Sequence, residues 1–443
     1  VIPGSTGFFQ EKTMKLEIGN IHVKALEFGQ DTALNAGTVQ IDQQALVGFI
    51  RELDHRIASV ALDIARPGDK TRIMPVKDVI EPRCKVEGNG CMFPGRNPGD
   101  EAMVGEGRTH VLKGMAVVTT GKVVGFQEGI IDMSGPGAEY TPFSKTLNLV
   151  ITCEVDDSCN QYDHEAILRK VGIETANLIG QLAKTATADD SRTYETKPLL
   201  EQAAQYPNLP KVGYVYMLQS QGLLHDTYLY GVDVKTILPT LLYPTEVMDG
   251  AIMSGNCVSA CDKNPSIVHQ NSPVIHELYE HHGSKYNFMG VIVTNENVTL
   301  ADKERSSNYV AKLAVQMGLD AVIISEEGFG NPDADLVMNC RKLEDAGIKT
   351  VLLTDEYAGQ NGESQSLADS TPKGDAVVTN GNANQVVHLP AMDKVIGHDT
   401  YANVIAGGWD GSLHADGSIT AEIQVITGST NELGYHNLTT IAG

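Results

Sequence analysis

The chain has 443 residues, 42% of them hydrophobic and 20% charged, with 44 glycines; this excludes a fibre or a disordered tail and implies more than one core. Lys and Arg number 33 against 56 Asp and Glu, and the formal charge of -23 argues against nucleic-acid backbones and anionic lipid surfaces as partners. Cys84, Cys91, Cys153, Cys159, Cys257, Cys261 and Cys340 form no regular framework, and no apolar run approaches the roughly 20 residues that span a bilayer, so a reduced, cytoplasmic protein with no membrane contact is expected.

The first residues, "VIPGSTGFFQEKT", have neither a basic nor an apolar signal region, and Met14 is expected as the natural start. From there to about residue 150 short strands and turns predominate: "KLEIGNIHVKALEF", "THVLKGMAVVTTGKVVGFQEGIIDM" and "KTLNLVITCEV". A helix interrupts them in "DQQALVGFIRELDHRIASVAL", where Leu46, Phe49, Ile50 and Leu53 recur at helical spacing. The stretch "EGNGCMFPGRNPGDEAMVGEGRTH" is too rich in Gly and Pro for regular structure. Residues 163–184 read as an amphipathic helix with Ile167, Val171, Leu178 and Leu182 on one side.

Beyond it, "KVGYVYMLQSQ" reads as a buried strand, and "NFMGVIVTNEN", "DAVIISEEG" and "KTVLLTDEY" as three more. Between these lie two helices, one ending at Gly318 and the next starting with Asn331 as N-cap and Pro332 at its first position. The fold class expected is α/β: a β-rich mixed N-terminal part followed by a doubly wound parallel α/β domain. Residues 1–13 would be an upstream segment, 14–160 the β-rich domain, 161–270 a helix and strand region, and 271–443 the parallel domain. Ligands of open parallel sheets bind beyond the carboxyl ends of the strands. Asn295, Glu326 and Glu327 fall there, in a mouth suited to an amine or a hydrated cation, although Asp, Asn and Gly also simply end strands.

"HELYEHH" at 276–282 lacks the i, i+4 histidine pair of a zinc-protease helix and reads as a solvated helix end. The cysteine spacings fit no common zinc pattern, Cys340 lies on an apolar helix stripe, and no metal is expected. There is no dinucleotide fingerprint, phosphate-binding loop or serine nucleophile elbow. "GNCVSACDKN" at 255–264 offers one reactive possibility. The Cys257 thiol can attack the preceding carbonyl to form a thioester; β-elimination would release the upstream chain and leave dehydroalanine, which tautomerises to an imine that water hydrolyses to a pyruvoyl group with loss of ammonia. Attack by the Asn256 side chain would cut the chain without changing Cys257, and a plain buried turn is equally compatible with the residues.

"YPTEVMDGAIMSGNCVSACDKNP" closely resembles the processing region of the proprotein of component B of the glycine, sarcosine and betaine reductases. "GRTHVLKGMAVVTTG", "GFQEGIIDMSGPGAEYTPFSKT", "MLQSQGLLHDTYLYGVD" and "ISEEGFGNPDADL" extend the resemblance from Met14 to near the C-terminus. It implies cleavage between Asn256 and Cys257, with Cys257 becoming the pyruvoyl cofactor of the downstream subunit. It further implies that a small amine substrate forms a Schiff base and that a selenoprotein subunit of component B attacks the substrate α-carbon. A small selenoprotein carrier and an acetyl-phosphate-forming component would complete the reaction to acetyl phosphate and ammonia. The blocks read most like the glycine branch; sarcosine, betaine and an unprocessed ligand-binding subunit are the alternatives. His225 and Asp226 in "GLLHDTY" are candidates for proton transfer, or for capping a turn.

Overall fold

The computed structural model describes residues 13–221, 227–255 and 259–433. Its first half is carried by β1 (Met14–His22), β2 (Ile57–Ala65), β3 (Thr71–Ile80), β4 (Arg83–Glu87), β5 (Gly107–Lys113), β6 (Met115–Thr120), β7 (Gly129–Asp132) and β8 (Leu147–Val155). One mixed sheet runs β7-β3-β6-β8-β2, and β1, β5 and β4 lie side by side in a second. The Gly- and Pro-rich stretch between β4 and β5 has no helix or strand, as expected.

Helix α1 (Gln43–Leu53) is capped by Asp42, whose carboxylate accepts the Ala45 N–H at 3.0 Å, and it buries Leu46 and Ile50. It stops earlier than its apolar pattern suggested. Asp54 is extended, and the β-branched run that follows is β2, paired antiparallel with β8. Helix α2 (Gln161–Gly180) starts two residues early because the Asn160 side chain caps it at Asp163 N, 2.9 Å away. Its packed face centres on Gly172, where an added Cβ would sit 2.8 Å from Thr119 Cγ2. This turns Leu178, expected inside, out to solvent.

The second half contains β9 (Asp190–Thr196), α3 (Leu199–Gln205), β10 (Lys211–Leu218), β11 (Thr240–Leu242), α4 (Pro244–Met248), α5 (Ser266–Gln270), α6 (Pro273–His281), β12 (Asn287–Asn295), α7 (Leu300–Met317), β13 (Ala321–Ser325), α8 (Asn331–Asp345), β14 (Lys349–Glu356), β15 (Val377–Asn382) and β16 (Lys394–Gly397). The fold is α/β: a six-stranded sheet runs β11-β12-β10-β13-β14-β15, parallel throughout except at the β11 edge. β12 is buried along its whole length, which explains its continuous apolar run. On one face Val215, Ile292 and Ile324 pack against Val310 and Ala314 of α7 and Leu336, Cys340 and Leu343 of α8. On the other, Tyr214, Tyr216 and Val293 belong to the same core as Ile267 of α5 and Ile275 and Leu278 of α6.

Gly318 takes the left-handed conformation (φ 66°) that ends α7. The cap of α8 is Gly330 rather than Asn331, and the Asp333 carboxylate accepts the Gly330 N–H at 3.1 Å. Strand pairings between the halves, among the described residues, are β9 with β1 and β16 with β3, and Ile130 of β7 also bridges Ile426. The "HELYEHH" helix end is less solvated than expected. His276 Nδ1 lies 3.1 Å from the Tyr194 hydroxyl of β9, and His282 Nδ1 accepts the Phe288 N–H at 3.0 Å, so both rings anchor α6 to strands. Among the described residues no helix is long and apolar enough to cross a membrane.

Candidate functional site

The carboxyl ends of β12, β13 and β14 bring Glu296, Glu326, Glu327 and Asp355 to one edge of the sheet, all at most 1% exposed. Two segments distant in sequence close over them. Residues 259–264 contribute Cys261 and Asp262, and residues 428–432 contribute Glu432, each also at most 1% exposed. The two segments hold each other: Gly428 donates its N–H to the Ala260 carbonyl at 2.8 Å, and Asn264 Nδ2 donates to Glu432 Oε1 at 2.9 Å.

The described residues on either side of 256–258 are tied to each other and to the N-terminal half. Ser254 donates its N–H to Ser266 Oγ at 3.2 Å, and that hydroxyl donates to Asp78 Oδ2 of β3 at 2.7 Å. Upstream, Ile252 and Met253 pair with Tyr228 and Leu229. Asn256 and Cys257 lie outside the described residues, but both flanks of the expected cut are fixed, one to the N-terminal half and one to the acids at the sheet edge.

Several of these acids are left unmatched among the described residues: Asp355 has no hydrogen-bond partner on either oxygen, and Glu296, Glu326 and Glu432 each leave Oε2 unpartnered. Burial, with the other acids adding to it, raises Glu296, Glu326, Asp355 and Glu432 well above the carboxylate range, and Asp262 is pushed up to about 7. Burial therefore favours the neutral form of these five acids over a field of negative charge. Tyr357, stacked on Phe329 at 3.4 Å between ring centroids, donates to Asp262 Oδ2 at 3.3 Å. Beside them the Tyr216 hydroxyl lies 2.6 Å from His269 Nδ1, and His269 Nε2 lies 3.5 Å from Glu327 Oε1. Burial lowers His269 to about 3, so the ring is neutral.

Of the residues expected from sequence, Glu326 and Glu327 join this group. Glu326 accepts from the Thr354 hydroxyl, and Glu327 accepts the Gln219 N–H at 2.7 Å. Asn295 has its side chain committed to local structure: its amide donates to the carbonyls of Val234 and Ile237, and its oxygen accepts from Ser306 Oγ at 3.0 Å. His225 and Asp226 lie outside the described residues. Asp262, Tyr357, His269 and Glu432 carry no motif that would have singled them out. A cavity of about 860 Å³ opens elsewhere, lined by Met103, Leu199, Leu241, Met289 and Met317 and by none of these acids, so concavity alone does not mark the site. A smaller one of about 240 Å³ reaches Met253 and is lined by Arg96, Arg169 and Lys170.

Residues 14–441 match the family of glycine/sarcosine/betaine reductase component B subunits. The chain belongs to that family. It is 62% identical over 428 residues to the glycine reductase complex component B subunits alpha and beta of Acetoanaerobium sticklandii, covering 96% of this chain and 99% of that one. The protein of the same name from Peptoclostridium acidaminophilum is 63% identical over 422 residues, with 95% and 98% covered. The sarcosine reductase complex component B subunit alpha of Peptoclostridium acidaminophilum is 53% identical over 426 residues, with 96% and 99% covered. No solved structure matches the chain. As a component B relative the chain is of the reductase-complex type, and the cut that the resemblance implies, between Asn256 and Cys257, lies outside the described residues.

Proposed function

We propose that this component B chain is a glycine reductase proenzyme, cut between Asn256 and Cys257 so that Cys257 becomes a pyruvoyl group at the head of the downstream chain. The observation that carries the reading is the 62% and 63% identity, over almost their whole length, to single chains named for two subunits of the glycine reductase complex. The sarcosine protein, at 53%, is further away.

The described residues fit such a group. A reactive carbonyl needs proton donors and exclusion of water, and Glu326 and Glu432 supply buried carboxylic acid groups and half-buried Tyr357 a hydroxyl near residues 259–264. When present, the group supplies an electrophilic carbonyl for the substrate amine and draws electrons from the substrate α-carbon, opening it to a selenolate of a partner selenoprotein subunit. Glu326 and Glu432 would hold protons at the oxygens they leave unpartnered. The Tyr216 hydroxyl and His269 Nδ1, in hydrogen-bond contact at 2.6 Å, offer one step along which a proton can move. The products, ammonia and acetyl phosphate, would require the small selenoprotein carrier and the acetyl-phosphate-forming component.

Intact-mass analysis of protein from its native host should show two fragments divided at Asn256 and Cys257, and Cys257→Ala should remain one chain. Borohydride added with labelled glycine should fix label on the downstream fragment, and borohydride given first should block it. A single chain from the native host, or label on the upstream fragment, would refute the reading. Labelling with sarcosine in preference to glycine would move the chain to the sarcosine branch.

A further inference from the structure

The acid group contains one thiol, and its neighbours form a ligand set that no short spacing in the sequence reveals. We propose that Cys261, Asp262 and Asp355 form a binding site for a divalent metal ion of the zinc class. One ligand atom from each lies within 4.8 Å of the others, and all three residues are buried. Cys261 Sγ and Asp262 Oδ1 are 3.6 Å apart. A thiolate sulfur at about 2.3 Å and a carboxylate oxygen at about 2.0 Å from one tetrahedral zinc would be separated by about 3.5 Å, so this pair already has the spacing of two ligands.

The second observation is independent of the first. Both carboxyl oxygens of Asp355, at 1% exposure, lack any hydrogen-bond partner, which is costly for a polar group in a protein interior. Glu326 Oε2 and Glu432 Oε2, also buried and unpartnered, stand in the same acid group. No lysine, arginine or histidine among the described residues makes an ion pair with Asp262 or Asp355, so the charge that would match them is not supplied by the described protein groups. The Tyr357 hydroxyl, 3.6 Å from Cys261 Sγ and 3.3 Å from Asp262 Oδ2, is placed to brace two of the ligands from outside. A mixed thiolate and carboxylate set selects zinc, iron(II) or cobalt(II) over magnesium or calcium. Binding would displace the protons of the thiol and the two acids, a 2+ charge replacing them in the same space.

The site requires neither chain cleavage nor a pyruvoyl group, and its test is separate from theirs. Full-length protein, freed of metal with a chelator, is titrated with cobalt(II) and followed by absorption. The expected result is one equivalent bound per chain, with a near-ultraviolet thiolate-to-cobalt charge-transfer band. That band should persist in uncleaved Cys257→Ala, which removes the other thiol of this segment, and in Cys340→Ser, whose thiol is buried in the α8 core. It should vanish in Cys261→Ser. Asp355→Asn, which keeps the thiol and the side-chain size, should weaken cobalt binding by about tenfold or more and serves as the deciding variant if Cys261→Ser does not fold. No charge-transfer band in folded wild-type protein, a band that survives loss of Cys261, or an affinity unchanged in Asp355→Asn would overturn the proposal.

Discussion

The molecule buries charge in two contrasting ways. In the N-terminal half three buried ion pairs join opposite charges: Arg72 with Asp132 at 2.7 Å, Lys77 with Glu128 at 2.9 Å, and Arg83 with Glu81 at 2.5 Å. Burial alone would raise Glu81, but Lys113 and Arg83 outweigh it and hold the carboxyl down to about 2. At the carboxyl edge of the parallel sheet Asp262, Glu326, Asp355 and Glu432 are as deeply buried, make no such ion pair among the described residues, and are shifted by burial towards their neutral forms. The first arrangement fixes strands, whereas the second leaves buried acids uncompensated at the cost of stability.

The largest expected effect breaks the first arrangement. Lys77→Met leaves the Glu128 carboxylate buried without its ammonium partner, and should cost about 3–5 kcal/mol in denaturant unfolding. Adding Glu128→Gln to it should recover much of that loss, because the uncompensated charge is then gone. Glu326→Gln should behave in the opposite way. Its Oε2 has no partner to lose among the described residues and burial already favours its neutral form, so stability should stay within about 1 kcal/mol while glycine turnover by the reconstituted complex falls about 100-fold. A large stability loss in Glu326→Gln would place it in the same class as Lys77.

The sheet that builds this edge was legible because parallel strands are buried on both faces and read as apolar runs closed by turn residues. Glu326 and Glu327 were legible for the same reason: they follow the last apolar residues of β13. Asp262 and Glu432 were not, since they reach the edge on loops from elsewhere in the chain and no periodicity records which loop folds over which strand. Asn295 shows the converse. Its position at a strand end was right, but its amide is taken up by the Val234 and Ile237 carbonyls. The protonation state of the acids also lay beyond the sequence, since it depends on burial.

Acid and alkali should separate the two arrangements. Burial lowers His164 and His276 to about 4 and His269 to about 3, so below about pH 6.5 the unfolded chain takes up protons that the folded chain refuses. Stability should therefore fall as pH drops from 6.5 towards 4, and His276→Asn should flatten that limb. Glu296 is raised well above its ordinary value by burial and by Glu327, so its contribution is full below about pH 4.5 and is lost as pH rises towards its folded value. Glu296→Gln should accordingly stabilise the protein at neutral and alkaline pH, by an amount on the order of 1 kcal/mol. Thermal melts across the pH range read both limbs, and a Glu296→Gln variant that is weakened at alkaline pH would contradict the uncompensated-acid reading.

The smallest expected effect concerns the seam that cleavage would create. β10 would belong to the upstream fragment, yet it lies between β12 and β13 of the downstream one, and β16 of the downstream fragment pairs with β3 of the upstream one. Surface ion pairs also cross the seam: Arg192 with Glu280 at 2.7 Å and Lys394 with Asp63 at 2.5 Å, all of them at least a third exposed. Such pairs are screened by salt and each contributes under about 1 kcal/mol, whereas removing β10 would strip a central parallel strand of both its neighbours. Arg192→Ala with Lys394→Ala should change the unfolding midpoint only slightly, and 1 M salt should leave the cleaved fragments together on a sizing column. Separation should require denaturant and coincide with loss of the fold. Fragments that part in salt alone would mean that the interlocked sheet does not hold the seam and that the surface charges do.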